Sequence, residues 1–241
     1  MSTSVIEIPL TNLAIALIPV GILMVLIYRW TNHTSQAMYA ISRMLLQLIL
    51  IGYVLTYLFN ADSSPLVIAT LCIMLGAAGW IAIRPLGKRS SRHLQHALIA
   101  IGASGLSTLL LVTVWVLGTE PWYEPRTVVP LGGMILASAM NTVSLAAERF
   151  AAERARGTEP FDARRVAFQA ALIPLLNSLF AVGLVSLPGM MTGQVLSGID
   201  PLIAVRYQIM VMCMLTGAAG IAAAIYLKLQ TRSAGKSPPT D

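Results

Sequence analysis

Charged side chains are scarce in this sequence. Only 11% of the 241 residues are Asp, Glu, Lys or Arg, whereas 56% are hydrophobic. An average soluble domain carries roughly 25% charged residues and keeps a mostly polar exterior. The composition therefore excludes a soluble domain and predicts an integral membrane protein.

Cysteine is also scarce, and acidic residues are missing from the predicted membrane spans. Cys72 and Cys213 each lie in an apolar run, so we predict packing residues and neither a disulfide framework nor a zinc site. The predicted spans contain no Asp or Glu, the residues that usually carry protons through membranes. This argues against a proton-coupled secondary transporter, and we predict no metal site and no catalytic residue in the chain.

The sequence has no phosphate-binding loop of the form G-x-x-x-x-G-K-[ST]. Gly87 and Lys88 are followed by Arg89, and no glycine stands at the required upstream spacing. The chain is therefore predicted to bind no cofactor itself. If ATP drives it, a partner subunit binds the ATP.

Seven apolar stretches are each close to the ~20 residues that cross a bilayer core. They cover residues 10–28, 41–59, 66–83, 94–117, 128–147, 166–187 and 207–227. We predict an all-α, polytopic bundle of about seven transmembrane helices over residues 1–228, followed by a disordered cytoplasmic tail at 229–241.

The basic residues are unevenly distributed between the predicted loops. With the N-terminus outside, 14 of the 16 Lys and Arg residues lie inside and only Arg126 and Arg206 lie outside. Cytoplasmic loops carry such an excess, which predicts a multi-pass inner-membrane protein with its C-terminus in the cytoplasm. The positive charge is thus a topology signal, and nucleic acid is not predicted as a partner.

Mildly polar residues, prolines and methionines in or beside the spans are the candidates for a transport pathway. Helices five and six are predicted to face each other across a weakly polar cavity, with Asn141, Asn177 and Ser178 close together. The alternative is that these residues only form hydrogen bonds between helices, or pack there. The full candidate set is Gln47, Met134, Ser138, Asn141, Pro174, Asn177, Ser178, Met190 and Met191.

Two further segments carry predictions. Residues 187–208 are too glycine-rich for a regular helix and too apolar for an ordinary loop, which predicts a re-entrant or interfacial segment closing the outer end of the cavity. In the last span, Thr216, Gly220 and Ala224 form a small-residue stripe that predicts a helix-packing surface.

The longest predicted cytoplasmic loop is 148–165, which suits either a simple connector or a docking site for a soluble partner. Phe161 is its one aromatic residue near the turn, and a buried aromatic is a typical interface anchor. The candidate coupling residues are Arg154, Arg156, Gly157, Phe161, Arg164 and Arg165.

Several stretches resemble the FetB (YbbM) family of iron-export permeases of the ABC transporter class. The matching segments are GYVLTYLF at 52–59, VPLGGM at 129–134, ALIPLLNS at 171–178, VGLVSLPGMMTGQVLSGIDP at 182–201 and YQIMV at 207–211. The resemblance implies a permease that works with a separate FetA-type ATPase and is linked to efflux of cytosolic iron. Plant relatives in the same resemblance are implicated in aluminium tolerance.

These observations together predict an ABC transporter permease subunit that exports a metal, with iron favoured by the resemblance alone. The expected partners are a FetA-type ATPase, a second copy of the permease in a homodimer, and the lipid bilayer. Two alternatives remain: a secondary transporter, and a membrane scaffold or sensor that transports nothing.

Overall fold

The computed structural model describes residues 9–31, 34–60, 63–87 and 90–234. Within these residues the chain is helical and forms no strand beyond one isolated bridge. The helices in chain order are α1 (Leu10–Ile15), α2 (Ile18–Trp30), α3 (Thr34–Asn60), α4 (Ser64–Ala82), α5 (Ser91–Leu110, extended by π-helical turns over Leu111–Val116), α6 (Pro125–Ala155), α7 (Pro160–Ala181), α8 (Gly189–Leu196) and α9 (Pro201–Ala234). The predicted all-α class is confirmed.

The chain divides into two compact units, Met1–Ala61 and Asp62–Asp241. In the first unit, the predicted span at 10–28 is interrupted, because α1 ends at Ile15 and α2 begins at Ile18. Pro19 is the second residue of α2, a position where its missing N–H costs nothing. The side chains of α2 are not buried within this unit, as expected for a helix that faces lipid.

The second unit is held together by close helix packing through alanine. Its core lies between α4, α5, α6, α7 and α9, and most of the buried residues in the central cluster are alanines. Small side chains let helix backbones approach closely, which is how membrane helices gain contact without a hydrophobic driving force. On α9 the packed face is formed by Ala218, Ala219, Ala222 and Ala223.

The predicted packing stripe on the last span is therefore placed on the wrong face. Ala224 is exposed, and Thr216 and Gly220 are only partly buried. The prediction of small-residue packing was correct for this helix, but the residues one position away carry it.

Six helical segments of the described chain, with α1 and α2 taken together as the first, are long and apolar enough to cross a membrane: Thr11–Trp30, Thr34–Phe59, Ser64–Ala82, Ser91–Val116, Pro125–Ala155 and Pro201–Ser233. The sixth predicted span, 166–187, is not among them. Its helix α7 begins at Pro160 with three charged residues in its first turns and ends at Ala181. The count of seven spans and the orientation stay predictions.

Helices α6 and α9 are longer than a bilayer core. At 1.5 Å per residue, their 31 and 34 residues extend to about 46 and 51 Å, against ~30 Å of hydrocarbon. Both helices therefore extend beyond the apolar layer. Helix α9 also continues to Ala234, so residues 229–234 of the predicted disordered tail are helical, while 235–241 lie outside the described residues.

The glycine-rich segment at 187–208 contains more regular structure than predicted. It forms the short helix α8, a turn at Gly198, and the first turns of α9 from Pro201. The segment is thus not one regular helix, as expected, because it is broken at Gly198, but residues 189–196 are helical. Its depth in the membrane stays a prediction.

Candidate functional site

Helix α7 changes character at Pro174. Before this residue, Ala163, Ala167 and Ala171 follow each other at four-residue spacing and are buried in the core. After it, no residue of α7 is buried, and Phe180 is 76% exposed. Pro174, Asn177 and Ser178 therefore lie on the surface of the chain, where Ser178 Oγ donates to the carbonyl of Leu175 at 2.7 Å.

The candidate pathway residues on α6 differ in how far they are buried. Met134 and Ser138 are partly buried, and the Ser138 carbonyl accepts a hydrogen bond from Thr142 Oγ1 at 3.0 Å. Asn141 is exposed, on the side of the helix away from the core residues Ala139 and Val143. Within the described chain no hydrogen bond joins Asn141 to α7, so the proximity of Asn141, Asn177 and Ser178 stays a prediction.

Gln47 belongs to the first unit and has a local partner. With its amide oxygen turned toward Arg43, it accepts hydrogen bonds from Nε and Nη2 at 3.2 and 3.3 Å. The two residues are one helical turn apart on α3, so this contact is local to the helix. A role of Gln47 in the pathway stays a prediction.

Two predicted pathway residues line the same cavity. Met134 of α6 and Met190 of α8 both border a cavity of about 350 Å³, together with Met210 and Tyr207 of α9. Arg126 stands at its edge. The structure thus brings together three thioethers from three helices, an arrangement that is not visible in the linear sequence.

A larger cavity, of about 650 Å³, separates α9 from the segment that joins α7 to α8. Met191 lines it, together with Gln208, Met212 and Thr216, which share one face of α9 at four-residue spacing. Gln208 is buried, and within the described chain its Oε1 and Thr216 Oγ1 have no hydrogen-bond partner. Sequence reasoning missed Gln208 and assigned Thr216 to a packing stripe, because a Gln or Thr inside an apolar helix is a weak signal of a cavity on its own.

The described residues contain no cluster of three or more His, Cys, Asp or Glu that could bind a metal ion. Both methionine-lined cavities offer thioether sulfur and few oxygen ligands. Hard cations prefer oxygen and nitrogen ligands. The cavities therefore offer few of the ligands that would retain a hard metal ion.

The candidate coupling residues are brought together at the tight turn between α6 and α7. Helix α6 ends in a Schellman motif, in which Gly157 N–H donates to the Arg154 carbonyl at 3.1 Å and Thr158 N–H to the Glu153 carbonyl at 3.2 Å. Gly157 has φ +85°, the left-handed conformation that this motif requires. The turn places the start of α7 directly beside the end of α6.

Two of the predicted arginines are already engaged in this turn. Arg154 Nη1 donates to the Thr158 carbonyl at 2.6 Å, and Arg156 Nη1 lies 3.2 Å from Glu153 Oε1. Glu153, which is only 8% exposed, also pairs with Arg149 at 2.7 Å and accepts from Thr158 Oγ1 at 3.1 Å. Glu153 was missed from the sequence, because it is one of several acids in an alternating charged stretch.

The remaining coupling candidates are Phe161, Arg164 and Arg165. Together with Lys228 of α9 they form what we call the aromatic and basic surface, in which Arg164 is partly buried and the other three residues are exposed. Phe161 is 63% exposed, and the Arg164 guanidinium stacks 4.5 Å from its ring centroid. All four residues border a cavity of about 370 Å³ between α7 and α9. Such a surface, aromatic at its centre and cationic around it, suits contact with an acidic protein groove.

The sequence matches that of a family described as Uncharacterised protein family (UPF0014), over residues 10–164 and 157–234. The chain belongs to the UPF0014 family. Members of the UPF0014 family include a membrane protein, slr1647, of Synechocystis sp., which is 40% identical over 196 residues, 75% of this chain and 76% of the relative. No solved structure matches the chain.

Two other relatives bear names that concern metals. The Probable iron export permease protein FetB of Escherichia coli is 33% identical over 211 residues, 81% of this chain and 80% of the relative. Protein ALUMINUM SENSITIVE 3 of Arabidopsis thaliana is 31% identical over 222 residues, 84% of this chain and 79% of the relative. The resemblance to the FetB family is confirmed, and with the six apolar helices it confirms a multi-pass membrane protein.

Proposed function

We propose that this chain is the permease subunit of an ABC transporter that exports a metal, with iron as the favoured substrate. The observation that carries the proposal is the similarity to the iron export permease of Escherichia coli along four-fifths of both chains. The chain catalyses no reaction itself in this proposal, and a separate ATPase supplies the energy.

The distribution of charge supports an external energy source. In the six candidate spans the acidic residues are Glu148 and Glu153, both in the last turns of α6. Glu153 is held by Arg149 and Arg156. A proton-coupled transporter would need a titratable group within the membrane, so coupling to ATP hydrolysis in another chain fits this composition better.

The aromatic and basic surface supports docking of that ATPase. The Schellman turn at Gly157 fixes the start of α7, and the Glu153 network holds the turn in place. Phe161 is thereby presented to solvent at the start of α7, with Arg164 and Arg165 beside it. An exposed anchor at a helix end held by such contacts is what a coupling contact needs to transmit a movement of the ATPase.

The exposed polar residues support a pathway between two copies of the permease. Asn141, Asn177 and Ser178 lie on the surface of the chain, and amide side chains facing lipid hydrocarbon would be unfavourable. A homodimer that covers these residues would place them along a shared pathway. The cavities lined by Met134, Met190 and Met191 would then be the part of this pathway that each subunit contributes.

Co-purification of the native chain with a FetA-type ATPase tests the proposal. We expect a stable complex from detergent-solubilised membranes, with ATP hydrolysis faster than that of the ATPase alone. As a control, an unrelated polytopic membrane protein should neither bind the ATPase nor stimulate it. Absence of both binding and stimulation would exclude the assignment as a permease subunit for this class of ATPase.

A further inference from the structure

Another cavity of the second unit is separate from the aromatic and basic surface. It has a volume of about 450 Å³ and lies between α5, α6 and α9. Its cationic side chains are Arg92 of α5 and Arg154 of α6, whose Nη1 also donates to the Thr158 carbonyl, and the His93 imidazole of α5 lines it as well. We call it the basic cavity.

The polar lining of the basic cavity consists mainly of hydrogen-bond donors. Ser90, Ser233, the Gln230 amide and the His93 imidazole accompany the two arginines, and the described lining includes no carboxylate. The Arg92 side chain has no hydrogen-bond or ion-pair partner in the part of the chain that the structure describes. Glu153, on the same helix as Arg154, is occupied by Arg149, Arg156 and Thr158.

The wall of the basic cavity is held in place by a contact between helices that are distant in sequence. Gln230 Nε2 lies 2.7 Å from His93 Nδ1, and Gln230 itself is buried. An amide nitrogen can only donate, so Nδ1 accepts this hydrogen bond and Nε2 of a neutral imidazole carries the proton. His93 is therefore oriented by α9 and keeps a second donor.

Part of the lining of the basic cavity is aromatic or apolar. Tyr226, Phe150 and Ala147 border it, and all three are buried. A ligand must therefore combine a negatively charged, acceptor-rich group with some apolar or weakly polar volume, or be a small anion with its water. The volume is within the range of ligand pockets in general.

We propose that the basic cavity binds a phosphate group. Phosphate oxygens are strong acceptors that arginine side chains bind through charge-assisted hydrogen bonds, and no described acidic residue competes at the site. The phosphate comes from one of two sources, the headgroup of an anionic phospholipid or free phosphate in solution. Basic pockets between helices at the cytoplasmic end of membrane proteins commonly bind anionic headgroups.

Two substitutions test the proposal without removing a contact within the protein. Arg92→Gln removes an unpaired charge, and Ala151→Glu places a carboxylate in the cavity from an exposed position on α6. Ala151→Gln has the same size without the charge and is the matched control for the second. Arg232→Gln is the control for the first, because Arg232 is exposed on α9 and does not line the cavity.

Binding is measured on the purified chain with two probes. Native mass spectrometry follows titration with phosphatidylglycerol, with phosphatidylcholine as the neutral comparison, and thermal unfolding follows addition of inorganic phosphate against chloride at equal ionic strength. We expect Arg92→Gln and Ala151→Glu to lower the affinity for one of the two probes by about tenfold, as for loss of a charged hydrogen bond. Both control variants should bind that probe as tightly as the native chain does.

The probe that responds identifies the source of the phosphate. A response confined to phosphatidylglycerol means a lipid headgroup, and a response to inorganic phosphate means a soluble ligand. If neither probe binds the native chain, or if the two variants bind both probes as tightly as their controls, the proposal is wrong.

Discussion

At the scale of single residues, Glu153 is the side chain with the most contacts in the turn between α6 and α7. Its two oxygens hold Arg149, Arg156 and Thr158 while it is nearly buried. Replacing it by Gln keeps its size but removes the negative charge that pairs with both arginines. We expect Glu153→Gln to lower stability by about 1–2 kcal/mol, because charge-assisted hydrogen bonds are lost while the two arginines keep partial access to water.

The measurement is thermal unfolding in detergent, where the variant should melt at a lower temperature than the native chain. Glu148→Gln is the matched control, since Glu148 is exposed on the same helix. An equal effect of the two substitutions would show that the network does not hold the turn.

Phe161 is the residue on which the proposed docking of the ATPase depends most. It is exposed at the start of α7 with Arg164 stacked on its ring, so its loss should not disturb the core. We expect Phe161→Ala to reduce affinity for the ATPase by about 2 kcal/mol, as for a typical anchor residue. Co-purification and stimulated ATP hydrolysis measure this effect.

Phe180→Ala is the control for Phe161, because Phe180 is also exposed and lies at the opposite end of the same helix. It should leave ATPase binding unchanged. If Phe161→Ala binds and stimulates the ATPase as well as the native chain does, the docking surface lies elsewhere.

At the scale of elements, the turn at Gly157 fixes how α7 leaves α6. An alanine Cβ there would meet no atom within 4 Å, so the cost of Gly157→Ala is confined to the backbone conformation at φ +85°. We expect a loss of about 1 kcal/mol in the free energy of unfolding and weaker coupling to the ATPase. Gly76→Ala, at an exposed helical glycine with equal space, should be neutral or slightly stabilising. Equal melting temperatures for the two variants would contradict this role.

The helices themselves could be predicted from the sequence, but their faces and ends could not. Apolar length is a local property, so six of the seven predicted spans correspond to long apolar helices. The packed face of α9 depends on which neighbours it meets, and Ala218 and Ala222 are not distinguishable from Thr216 and Gly220 by composition. The end of α7 at Ala181 depends on the turn that follows, where Gly183 N–H donates to the Ser186 carbonyl at 3.0 Å.

The candidate site was predictable to a similar degree. Phe161 and the arginines around it are neighbours in sequence, so they could be grouped before the structure was known. Met134, Met190 and Met210 come from three helices, and their shared cavity results from packing that no local pattern encodes. Gln208 was missed, and Thr216 was assigned to a packing stripe and not to a cavity, for the same reason.

At the scale of the whole molecule, the orientation depends on whether α7 crosses the membrane. Its 22 residues extend to about 33 Å, enough for a bilayer core, although its first turns are charged. The 14 to 2 distribution of basic residues requires an odd number of spans. We therefore expect reporters fused after Arg156 and after Ser197 to lie on opposite sides, the first in the cytoplasm. If both reporters lie on the same side, α7 does not cross the membrane and the prediction of seven spans is wrong.

The central claim is that this chain exports a metal only when an ATPase partner hydrolyses ATP. Its most direct measurement uses the purified complex in proteoliposomes, with ATP on the side of the ATPase and Fe²⁺ supplied on that same side. Al³⁺ in place of Fe²⁺ tests the other metal named among the relatives. The account predicts that Fe²⁺ accumulates inside in an ATP-dependent manner, and that neither the permease alone nor a complex with a hydrolysis-deficient ATPase transports it. Transport by the permease alone under a proton gradient, or no ATP-dependent movement of either metal, would contradict it.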